Sequence, residues 1–143
     1  MNAVKYAGAL TLAVLAACGD GKPAAQASET KPLTGALAGV VVTSDDPRGA
    51  IFLSKGCPQC HTISALGIKS PAEVGPDLTV AYEDVQNRFG LKLDEFLRTP
   101  TGTMQVVLSS QIQLSPAERD SIYRILHALH EEQEERAEHS TKP

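Results

Sequence analysis

The chain has 143 residues, with thirteen Lys and Arg against seventeen Asp and Glu, and three cysteines. A net charge of −4 offers no basic surface for a nucleic acid, so no nucleic-acid partner is expected. The length allows one modest domain and its extensions, and no internal repeat divides it.

The first element is a leader. Lys5 precedes an apolar stretch from Ala7 to Ala17. A short positive segment and about 7–15 apolar residues describe a secretory signal, whereas a membrane span needs about 20. Leu15-Ala16-Ala17-Cys18 resembles a bacterial lipobox, in which the signal is cut before the cysteine and the cysteine is acylated. The resemblance implies a signal peptide over residues 1–17 and a lipidated Cys18. The other reading is ordinary cleavage at an Ala-x-Ala site and a spare thiol, which is a liability in an exporting compartment. Loss of Lys5 with the leader leaves twelve basic against seventeen acidic residues. Residues 18–44 then carry Gly, Pro, Ala, Ser, Thr and Lys in no helical period, and read as a flexible tether. Within them, the run Leu33 to Val42 is apolar enough to lie against the domain or to form a short strand. Gly19 stands where an inner-membrane retention Asp is looked for in many Gram-negative lipoproteins. It points towards the outer membrane but leaves the choice open.

The folded domain is expected over residues 45–135, all-α, with four to five short helices. Asp46 followed by Pro47 predicts a capped helix through Ala50, Ile51, Phe52 and Leu53 that delivers Cys57. From Thr62 to Thr79 no period emerges, and Gly67, Pro71, Gly75 and Pro76 interrupt the chain. A loop of that length in a small domain is usually functional. Tyr82 to Phe89 predicts a helix stopped by Gly90. Leu93, Phe96 and Leu97 mark another, ending before Pro100. Ser115-Pro116-Ala117-Glu118 is a capping box with Pro at the first helical position. It opens a long helix with an apolar face of Ile122, Ile125, Leu126 and Leu129. Five glutamates between Glu131 and Glu138 lie unfavourably near a helix C-terminus, so fraying is expected after about Glu132, with a disordered tail over residues 136–143. The acidic run reads as a solvated helix end, with a docking patch for a basic partner as the alternative.

Between the first two helices stands Cys57-Pro58-Gln59-Cys60-His61. C-x-x-C-H is the attachment signature of a c-type haem. Two thiols bond to the vinyl groups, and the adjacent histidine presents its imidazole to the iron. Without the histidine, C-x-x-C is equally a redox disulfide or half a zinc site. A thioredoxin-like site needs a βαβ setting, which this sequence does not show. A structural zinc site needs about four ligands. There is no second C-x-x-C, and the nearest other candidates are His127 and His130.

From Asp45 onwards the order resembles the class I cytochrome c family: helix, C-x-x-C-H, Gly75-Pro76-Asp77-Leu78, helices, a methionine loop, and a last helix introduced by Leu114-Ser115. The resemblance implies a cytochrome c fold wrapped around one covalent haem c. It implies that Cys57 and Cys60 hold the haem, and that His61 and Met104 are the axial iron ligands. The Pro76 carbonyl would accept a hydrogen bond from His61. Met104, in Thr101-Gly102-Thr103-Met104, is also the one methionine left once the leader is gone. A neutral thioether favours ferrous iron, raises the potential and closes the iron to small ligands. Gly49 fits the family's pairing of its first and last helices, whereas Leu53 and Ile125 replace aromatics. Gln105 stands where many relatives carry proline. With no Trp, haem shielding falls to Phe89, Phe96, Tyr82 or aliphatic residues.

The expected function is single-electron transfer by a lipid-anchored carrier in a bacterial envelope, facing the periplasm or the exterior. Its redox protein partners would be a quinol-oxidising complex or other donor and a reductase or terminal oxidase acceptor. No residue need act as catalyst. The alternatives are a fixed haem subunit of a membrane oxidoreductase complex, with Val106, Val107 and Leu108 as an apolar patch, and a haem enzyme or gas sensor, against which Met104 argues.

Overall fold

A computed structural model describes residues 33–37 and 40–142, with side chains from Val42 onwards. The expected leader, Cys18 and most of the expected tether lie outside the described residues. The described chain opens with an antiparallel hairpin of β1 (Leu33–Leu37) and β2 (Val40–Ser44), with Leu33 opposite Ser44 and Gly35 opposite Val42. The β-branched run Val40 to Thr43 suits a pleated strand. Val42 and Ser44 are buried and Thr43 is exposed, the alternation of a half-buried strand. The Ser44 hydroxyl donates to the Leu66 carbonyl at 2.7 Å. The apolar run beginning at Leu33 is therefore a strand pair, and the body of the protein starts before the expected boundary at Asp45. The fold is mostly helical with one small sheet, where an all-α domain was expected.

Asp46 caps the next turn by accepting from Arg48 N–H at 2.8 Å, and α1 (Ala50–Ser54) follows. Gly56, at φ +72°, ends that helix before the first cysteine. The cysteines ride on a separate 3₁₀ turn, Cys57–Gln59, and not on a continuation of α1. Helix α2 (Ala81–Phe89) stops at Gly90, whose amide returns to the Gln86 carbonyl at 2.9 Å. Helix α3 (Leu93–Arg98) ends before Pro100. Met104 lies on a short helix, α4 (Thr103–Val106), that widens into a π-helical turn over Val107–Gln111. Helix α5 (Pro116–Thr141) starts at a capping box with both reciprocal bonds formed between Ser115 and Glu118.

Helix α5 runs past Glu132, where fraying was expected, and covers most of the expected tail. Its acidic stretch has partners that local charge reasoning missed. Arg48 bridges Asp46 and Glu132, Arg136 lies 3.6 Å from Glu132, and Gln133 Nε2 donates to the Thr79 carbonyl at 2.8 Å. Ile122, Leu126 and Leu129 form the buried stripe of α5, packed with Phe52, Leu53, Ile63, Ile68 and Phe96. Ile125 is only half-buried. Gly49 makes its close approach elsewhere than expected. A Cβ there would stand 2.6 Å from Ser44 Oγ and 3.1 Å from Ile68 Cδ1, against the hairpin and the following loop.

Candidate functional site

Cys57, Cys60 and His61 line a largely apolar cavity of about 370 Å³. The 3₁₀ turn places them, with Cys60 N–H donating to Cys57 O at 3.2 Å and His61 N–H to the same oxygen at 3.0 Å. Both thiols are free. Burial pushes the Cys57 thiol up to about 11. A thiol so held stays protonated near neutral pH, the reverse of the lowered values that activate dithiol exchange.

The His61 ring is fixed from its far edge. Its Nδ1 lies 2.8 Å from the Pro76 carbonyl, which can only accept, so Nδ1 carries a proton, and in the neutral ring Nε2 is then the nitrogen with the free lone pair. Gly75 packs on the same ring. A Cβ there would stand 2.5 Å from His61 Cε1 and Nδ1, so only glycine fits without movement. The loop that carries Pro76 is stitched to the C-x-x-C-H turn. Gly75 N–H donates to Cys60 O and Leu78 N–H to Thr62 O, both at 2.8 Å. Asp77 accepts from the amides of Thr79 at 2.8 Å and Ser64 at 3.2 Å. Burial opposes ionisation of Asp77, but the bonds from Ser64 and Thr79 outweigh it and hold its carboxyl below its ordinary value.

Met104 lines the same cavity and is half-buried, together with Val107, Leu108 and Ile112 of its segment. Phe52, Val85, Leu93 and Leu126 add to its apolar lining. Phe89 and Phe96 are stacked, with centroids 5.1 Å apart, and both face the cavity. Tyr82 does not line it; its ring stacks on His130 at 4.6 Å and meets His127 edge-on at 4.9 Å. The expected shielding role of Tyr82 is thereby corrected: position 82 shares a helix face with Val85 and Phe89, but its ring is taken up by His127 and His130 of α5. Arg88, paired with Asp84 at 2.7 Å, is the one cationic side chain on the cavity wall among the described residues.

Sequence reasoning missed two further groupings. A wider, open cleft of about 1010 Å³ between α2, α3 and α5 has mixed charges, among them Asp94, Arg98, Asp120 and Arg124, and two tyrosines, Tyr82 and Tyr123. It contains none of the C-x-x-C-H residues. Glu83, His130 and Glu134 bring ligand atoms within 4.8 Å of one another, but the nearest approaches of the two carboxylates are to opposite ring nitrogens. Helical spacing in α5 foreshadows the His130–Glu134 pair; nothing in the sequence foreshadows Glu83. Comparisons with protein-family models, curated proteins and solved structures found no match to this chain.

Proposed function

We propose that this chain is a monohaem c-type cytochrome of the class I fold, an electron carrier and not an enzyme. The observation that carries this reading is one cavity lined both by Cys57, Cys60 and an oriented His61 and by Met104. The residues fit the group. The cavity is mostly apolar, as a porphyrin face requires, and its two free thiols stand at the spacing for thioether attachment. Gly75 leaves room for the imidazole, and Arg88 is available to a propionate.

When bound, haem c would supply a one-electron ferric/ferrous couple. Cys57 and Cys60 would hold it covalently, and His61 and Met104 would hold the iron. The Pro76 carbonyl, by accepting from His61 Nδ1, keeps Nε2 the basic nitrogen and fixes the ring's orientation. The apolar lining excludes water and limits reorganisation when the charge changes. The proposed membrane attachment is the acylated Cys18 in a bacterial envelope; no described helix is long and apolar enough to cross a membrane. The partners would be an electron donor such as a quinol-oxidising complex and a reductase or terminal oxidase acceptor, met at the raised local concentration that a tether provides.

A fixed subunit of an oxidoreductase complex is the second reading. Val74 and Val106 are more than half exposed, and Val74 lies at the cavity. Purification from native membranes as a stable complex would favour that reading.

The test is the holoprotein and its Met104→Ala variant. Haem should survive acid-acetone extraction, and the ferric wild type should show the weak far-red band of a thioether ligand. Met104→Ala should erase the band, lower the potential and admit cyanide or carbon monoxide, since the neutral sulfur stabilises the reduced state and blocks the sixth site. A band and potential unchanged in the variant would defeat the carrier reading and move an open-site enzyme or sensor ahead.

A further inference from the structure

The segment that carries Met104 is poorly tied to the fold. No residue between positions 101 and 113 is fully buried. Apart from bonds within α4 and the π turn, its hydrogen bonds are local: Gln105 N–H to Gly102 O, Ile112 N–H to Val107 O, and the hydroxyls of Ser109 and Ser110 to Val106 O. Among the described residues, one hydrogen bond leaves the segment for the rest of the protein. It is donated by Lys55 Nζ to the Gln113 carbonyl at 3.1 Å. The same ammonium lies 2.7 Å from Glu118 Oε1, on the first turn of α5. Lys55 itself caps α1, its amide returning to Ile51 O at 3.0 Å, two residues before Cys57. The Lys55 ammonium thus bridges three pieces of chain: the approach to C-x-x-C-H, the exit of the methionine segment, and the capping box of the last helix.

We infer that Lys55 is a positioning residue for the sixth iron ligand, acting as a clamp that holds the Met104 segment closed over the cavity. The inference rests on the proposed ligation by Met104. Loop opening draws on the least stable parts of a fold, those with few buried apolar contacts and few hydrogen bonds to the body. Here a single side chain supplies the polar attachment at the exit, and half-buried Met104, Leu108 and Ile112 supply the apolar one. Removing the clamp should raise the population of segment-open molecules without unfolding the domain, whose buried residues all lie outside this segment. Lys55 and Glu118 are partly exposed, so the pair is of the modest kind, and an effect of about three- to tenfold is expected.

The experiment uses the ferric holoprotein and reads the rate of cyanide binding, which is gated by opening of the methionine segment, beside the far-red band and the denaturant midpoint by far-ultraviolet circular dichroism. Lys55→Met should keep the band at rest, bind cyanide about three- to tenfold faster, and lose only as much denaturant stability as that fold-change corresponds to. Lys55→Arg should restore most of the slow binding, because guanidinium reaches the same carbonyl and carboxylate. Glu118→Gln should show a smaller acceleration. It retains an oxygen for the Ser115 amide, hence the capping box, and leaves the Lys55–Gln113 bond in place. Unchanged cyanide binding in Lys55→Met, or a global loss of stability well beyond what the acceleration corresponds to, would overturn the inference. A wild type with no far-red band and immediate cyanide binding would instead overturn ligation by Met104, and with it the premise.

Discussion

The His61 and Met104 segments that line the cavity are built differently. In the His61 segment, Ile63, Leu66 and Ile68 are at most 2% exposed, Ser70 and Thr79 are buried, and the loop from Cys60 to Leu78 is cross-linked by backbone and Asp77 bonds. In the Met104 segment, thirteen consecutive residues contribute no fully buried side chain and, among the described residues, one outward hydrogen bond. The contrast suits the chemistry proposed for each. A ligand held next to two covalent attachments stays put, and its ring orientation must be set by packing. A thioether reached from a separate segment closes the site, and only that segment need move to open it. One segment of the site is thus continuous with the hydrophobic core, and the other is a flap attached at its ends.

If that contrast is right, core truncations should separate by segment. Ile63→Ala removes a side chain with no exposure and should cost about 2–5 kcal/mol, read as a shift of the denaturant midpoint. Ile112→Ala, on the half-buried flap, should cost about 1 kcal/mol or less. Equal losses would break the comparison.

The glycines sharpen it. Gly75→Ala places a methyl against the His61 ring and should cost about 1–3 kcal/mol of overpacking. It should also disturb the Nδ1–H bond to Pro76, read by NMR as faster exchange of that ring proton. Gly102 has φ +61° and open space around it, so Gly102→Ala carries only backbone strain and should leave the His61 proton unchanged. A ring proton indifferent to Gly75→Ala would show that the loop yields more readily than its bonds imply.

The smallest effect concerns acid. The folded pKa of Asp77 is lowered, so its ionised form contributes stability that is fully present above the unfolded value of about 4. That contribution is lost as pH falls through the folded value. Asp77→Asn keeps an acceptor oxygen but cannot titrate. Denaturation curves collected from pH 7 down to pH 3 should show a shallower acid loss in the variant. Parallel pH profiles would mean that other carboxylates dominate.

Local signals were legible. Asp46 before Pro47, Ser115 with Glu118, and Gly90 after Phe89 each end or start a helix through bonds spanning two to four residues. The Gly75-Pro76 element could be named from resemblance, and it lies against His61 in the fold. Distant partnerships were not legible. The run from Leu33 left its strand option open, because its pairing with Val40–Ser44 and the bond from Ser44 to the Leu66 carbonyl lie outside its own residues. The length of α5 was underestimated because Arg48 and Thr79, which hold Glu132 and Gln133, are more than fifty residues away.

What the sequence determined by itself is therefore the chemistry available and the local punctuation: a dithiol next to a histidine, a single methionine after Met1, and caps, glycine stops and prolines between short amphipathic runs. Residue type dictates these, and neighbours in the chain complete them. Only the tertiary structure decided that the dithiol and the methionine face one cavity, that Tyr82 turns away from it, and that Lys55 reaches a carbonyl fifty-eight residues ahead. Those outcomes depend on which faces of several helices are buried together. A side chain's direction is set by packing across the core, and no spacing within one segment carries that information.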